Sequence, residues 1–119
     1  MDLYREDVMD HYEHPRNQGE LLGDDVIAEK ESNASCGDMV QFYLKIKDGI
    51  IVEVKWKGIG CAITTAASSK FSEYLTGKNL EKIKSMSEDE MVQDGVGFEV
   101  NPGRMKCLML PVKVVKKIL

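Results

Sequence analysis

Two runs of strict alternation dominate the middle of the chain. Val40, Phe42, Leu44 and Ile46 alternate with Gln41, Tyr43 and Lys45, and beyond Asp48-Gly49 a second run sets Val52, Val54 and Trp56 against Glu53, Lys55 and Lys57. A period of two puts one set of side chains on each face of a strand, and Asp-Gly supplies the positive φ angles that a tight hairpin turn requires. The pattern predicts a β-hairpin with one apolar face, preceded by a weaker strand at Val26 to Glu31. Elsewhere the period is helical. Leu3, Tyr4, Val8 and Tyr12 predict a short leading helix ended by Pro15, and the polar stretch from Glu13 to Asp24, with Gly19 and Gly23, reads as loop.

From Cys61 to Leu75 the side chains are mostly small, Ala62, Thr64, Thr65, Ala66, Ala67, Ser68 and Ser69, before Phe71, Tyr74 and Leu75, with Gly77 as a C-cap. Such a helix can lie close to its neighbours. Leu80 to Ser85 and Glu88 to Val92 predict two short helical pieces, and Gly95, Gly97, Pro102 and Gly103 mark an irregular segment. Met105, Leu108, Met109, Val112, Val115 and Leu119 follow the spacing of an amphipathic helix, with Pro111 predicting a kink or break at Leu110 to Pro111. Three antiparallel strands followed by helices on one face make an α+β domain. Met86, Met91, Met105 and Met109 are read as core filler.

At 119 residues, 43% hydrophobic and 30% charged, the chain is expected to form a single domain spanning 1–119. No run approaches the ~20 apolar residues of a membrane span, and the first residues are charged where a signal peptide would be apolar. The chain therefore reads as soluble and cytoplasmic, with no membrane partner. A net charge of -4 argues against nucleic acid as a partner. Lys106, Lys113, Lys116 and Lys117 do gather near the C-terminus, where positive charge complements a helix dipole without any ligand.

The chemistry lies in three cysteines, an odd number that rules out complete internal pairing. Cys36 sits in a turn entering the first hairpin strand, Cys61 at the start of a helix and Cys107 near the start of the last helix. All three mark junctions between elements, and junctions at one end of a sheet can converge. Asp38, two residues beyond Cys36, would point to the same side of an extended strand. Three thiolates and one carboxylate complete a four-coordinate site for zinc or for the irons of a cluster. The carboxylate is the harder partner, so the site should be leaky, as a scaffold requires. Cys61 gains a further feature, since a helix N-terminus favours thiolate. Three unconnected buried cysteines remain the plain alternative.

Four blocks carry a resemblance: Asp10-His11-Tyr12-Glu13-His14-Pro15-Arg16-Asn17, Ser35-Cys36-Gly37-Asp38, Gly58-Ile59-Gly60-Cys61-Ala62-Ile63 and Arg104-Met105-Lys106-Cys107. In order and spacing they resemble the IscU, SufU and NifU N-terminal family of iron-sulfur cluster assembly scaffolds. The resemblance implies that Cys36, Asp38, Cys61 and Cys107 hold metal or a transient [2Fe-2S] cluster. It also implies that a cysteine desulfurase supplies sulfur and that apo-proteins receive the cluster, which forms either on one chain or in a homodimer. His11 and His14 fall in a block that is structural in the family, and cap or packing roles are expected for them.

The sequence departs from the family at two points. Lys106 stands where IscU-type members carry a ligating histidine, and Arg104-x-Lys106-Cys107 looks instead like the SufU branch, whose members work as zinc-dependent sulfur acceptors. SufU-type chains carry an insertion before the third cysteine that the Phe71 to Arg104 interval has no room for. The Leu-Pro-Pro-Val-Lys motif of chaperone-dependent members is replaced by Asn101 to Lys106. Three functions follow. The first is a non-enzymatic cluster scaffold. The second is a sulfurtransferase in which zinc organises the site, Cys36 or Cys107 accepts the sulfur and Arg104 and Lys106 stand beside it. The third is a structural zinc module.

Overall fold

The computed structural model describes residues 3–33, 37–98 and 100–119, with side chains from Glu6 onward. Among them, α1 (Leu3–Glu13) leads into β1 (Val26–Asn33), β2 (Asp38–Lys47) and β3 (Ile50–Ile59). The helices α2 (Ala62–Leu75), α3 (Leu80–Lys84), α4 (Glu88–Met91) and α5 (Met105–Ile118) follow. The strands form an antiparallel meander in the order β1-β2-β3. Asp48 and Gly49 turn the hairpin with φ of 53° and 77°, the two positive values that its local sequence predicts. β1 runs two residues further than expected, because Ser32 and Asn33 pair with Met39 and Asp38.

Val40, Phe42, Leu44, Val54 and Trp56 line the covered face, where they meet Ala66, Ala67, Phe71 and Leu75 of α2 and Leu108, Val112 and Val115 of α5. The second strand differs from its expected alternation. Lys45 pairs with Glu53 but Ile46 pairs with Ile51, so Val52 is an extra residue. The bulge turns Ile51 into the core and leaves Val52 42% exposed.

α5 runs unbroken through Pro111. The ring removes the N–H that would bond the Cys107 carbonyl one turn back. That carbonyl instead faces the Thr64 hydroxyl oxygen at 3.3 Å. A second revision concerns Gly95, placed in irregular chain by its sequence. α4 continues as a π-helical turn (Val92–Val96) that closes on Gly97 with φ of 72°. Met86 and Met91 are core residues as expected, whereas Met105 is exposed, because it opens α5 outside the packed face.

A candidate metal centre at the end of the sheet

Three elements end at one place. Asp38 opens β2, where the pairing of Met39 with Ile59 sets it beside the end of β3. Gly60 then turns the chain into α2, whose N-cap residue is Cys61, and Cys107 lies in the first turn of α5. A ligand atom from each of Asp38, Cys61 and Cys107 lies within 4.8 Å of the others. Asp38 and Cys107 are buried and Cys61 is half-buried. Cys36 lies outside the described residues.

Thr64, in the first turn of α2, sits among the three. Its hydroxyl donates to Asp38 Oδ2 at 2.6 Å and lies 3.7 Å from Cys61 Sγ. Sequence reasoning missed this residue, because a threonine in a run of small residues looks like packing. Gly60 closes the other side. A Cβ there would stand 3.0 Å from Asp38 Cγ and 3.0 Å from Thr64 Cβ.

The two cysteines are electrostatically unlike. Burial pushes the Cys61 thiol up, but the backbone N–H of Thr64, the Cys107 thiol, the Thr64 hydroxyl and the backbone N–H of Ile63 outweigh it and leave the thiol below its ordinary range. These amides face the sulfur without closing a capping hydrogen bond. Cys107 is pushed up to about 11, first by burial and then by donating its proton to Cys61. Of the two, Cys61 is the one that ionises first.

The family model for the NifU-like N terminal domain matches residues 3–119. The chain belongs to that family. It is 33% identical to the zinc-dependent sulfurtransferase SufU of Bacillus subtilis, over 97% of this chain and 88% of that one. It is 31% identical to the iron-sulfur cluster assembly scaffold protein IscU of Thermotoga maritima, over 98% and 92%. Among solved structures, one from Fervidobacterium islandicum, described as a candidate iron-sulfur cluster assembly scaffold for the SUF system, superposes with a TM-score of 0.74. It is 28% identical, over 95% of this chain and 93% of that one.

In this NifU-like chain Arg104 and Lys106 are both exposed and line different grooves. Arg104 borders one of about 400 Å³ with Ala62, Ile63, Val100 and Asn101, against the start of α2. Lys106 borders one of about 340 Å³ with Glu31, Ser32, Asn33, Leu110 and Lys113. Ile59, 73% exposed, adds an apolar rim beside Cys61.

The first sequence block holds the helices together. His11 Nε2 faces the carboxylates of Asp7 and Glu73 at 3.8 and 3.6 Å and so carries the ring proton. Nδ1 accepts from the Ser69 hydroxyl at 2.7 Å, and the same oxygen accepts from the Arg16 N–H at 2.9 Å. Asn17 donates to Ser72 Oγ at 3.0 Å, and Trp56 Nε1 donates to the Arg16 carbonyl at 2.7 Å. Asp7, Asp10 and His11 also approach one another as metal ligands would, but Lys70 pairs with Asp7 and Arg16 with Asp10, so cations already answer those charges. His14 is exposed and does not join His11 in any ligand group of the described residues.

Among the described residues no helix is long and apolar enough to cross a membrane.

Proposed function

We propose that this chain is an iron-sulfur cluster assembly scaffold, on which iron and sulfide form a [2Fe-2S] cluster that is then released to apo-proteins. The observation that carries the reading is the convergence of Asp38, Cys61 and Cys107 at one end of the sheet. Cys36 joins them as the fourth donor from its position two residues before Asp38. Thiolates suit iron bridged by sulfide, and each thiol gives up its proton as it takes metal. Asp38 is the harder donor, so its bond to iron is the one that opens first when the cluster leaves. A cysteine desulfurase supplies the sulfur as persulfide, which excess thiol reduces to sulfide with release of a disulfide, and two copies of the chain sharing one cluster fit a ligand set this small.

The test is metal and acid-labile sulfide analysis of protein purified without oxygen, followed by anaerobic reconstitution with ferrous iron, cysteine and a desulfurase. A sulfur-to-iron charge-transfer chromophore is expected, and Cys36→Ser, Cys61→Ser or Cys107→Ser should abolish it. A colourless product from the unaltered protein overturns the reading.

The likeness to the Bacillus subtilis sulfurtransferase favours a second reading. There Cys36, Asp38, Cys61 and Cys107 would hold zinc, which would keep the thiolates deprotonated and in place. The thiolate of Cys36 or Cys107 attacks the outer sulfur of the desulfurase persulfide. The new S–S bond forms as the old one breaks, and the desulfurase thiolate departs. Arg104 and Lys106 supply positive charge near that exchange. Mass spectrometry after one turnover decides it: no added sulfur on any cysteine removes this reading.

A further inference from the structure

We propose that Thr64 is the positioning residue of this centre, its hydroxyl holding Asp38 Oδ2 so that the carboxylate meets an incoming metal ion through its other oxygen. The inference rests on the reading of Asp38 as a ligand. Thr64 is 2% exposed, and its one hydroxyl touches groups from three distant parts of the chain: Asp38 Oδ2 at 2.6 Å, Cys61 Sγ at 3.7 Å and the Cys107 carbonyl at 3.3 Å. The hydroxyl has one hydrogen and several acceptors. The short contact to an ionised carboxylate takes it, because charge-assisted O–H···O bonds are the shorter and stronger kind.

A further feature holds the arrangement in place. Gly60 packs so closely on Asp38 Cγ and Oδ2 that a Cβ would stand 3.0 and 3.1 Å from them, which leaves the carboxylate little room to swing. A metal bound through both oxygens of Asp38 would compete with the Thr64 hydroxyl for Oδ2, so the hydroxyl favours a single metal–oxygen contact. Partners that orient ligands in this way change metal affinity by about 10- to 100-fold when removed.

The experiment is anaerobic titration of the metal-free full chain with Co(II), whose d–d and thiolate charge-transfer bands report its ligands. Thr64→Val should weaken Co(II) binding about 10-fold and move the d–d bands toward those of Asp38→Ala. Thr64→Ser should restore both. In an Asp38→Ala background Thr64→Val should change nothing further. Unaltered affinity and spectrum in Thr64→Val would overturn the proposal, as would an equal loss with and without Asp38. If Thr64→Val does not fold, Thr64→Ala removes the same hydroxyl and is read by the same criteria. An unaltered protein that shows no thiolate-to-cobalt band would instead remove the ligand reading and this inference with it.

Discussion

Gly60 has no positive φ to require a glycine, yet it admits no side chain without displacing Asp38 or Thr64. Space, and not backbone freedom, selects the residue, and the same crowding sets the chemistry of its neighbours. Cys61 and Cys107 are shifted in opposite senses, Cys61 below its ordinary range and Cys107 raised to about 11. Alkylation needs the thiolate and access to it. In metal-free protein at pH 8, iodoacetamide should therefore modify Cys61 several-fold faster than Cys107, read by peptide mass spectrometry. Faster labelling of Cys107 would contradict the assignment. Raising the pH toward 11 should bring the two rates together.

At the scale of elements, three breaks in regular structure serve packing. Pro111 is carried inside α5 without a break, and the carbonyl it strands faces Thr64 of α2 at 3.3 Å. The Val52 bulge resets β3, so that Ile51 and Val54 both face the core. The π-helical turn after α4 brings Gly95 beneath the stacked rings of Phe71 and Tyr74, where a Cβ would lie 2.7 and 2.9 Å from ring atoms. Phe71 is fully buried and has nowhere to move. Gly95→Ala should therefore cost about 1–3 kcal/mol, measured as a lower midpoint in urea unfolding. An unchanged midpoint would mean that the turn yields and the rings do not.

Across the whole molecule, α1 is tied to α2 through one buried imidazole. Burial and then Arg16 push His11 below its usual value of 6.5, against the opposing pull of Asp7, Glu73 and Asp10. A group that is harder to protonate when folded binds protons preferentially in the unfolded chain. Its contribution to stability is therefore complete above pH 6.5 and declines as the pH falls below that toward the folded pKa. Unfolding followed from pH 7 to pH 5 should show this decline, and His11→Asn should flatten it; a slope unchanged in the variant would place its origin elsewhere. The Asp-Gly hairpin, the small-residue helix and the amphipathic final helix were legible in the sequence, because their signals are local repeats of period two or 3.6. So was the interest of Asp38, Cys61 and Cys107, which are unusual residues at element junctions. Only the tertiary structure decided that β2, α2 and α5 bring those three within reach of one another. It alone decided too that Thr64 and Ser69 act as hubs and that Pro111 leaves its helix whole. Those outcomes turn on contacts between residues dozens of positions apart, and a buried hydroxyl reads in sequence as one more small side chain.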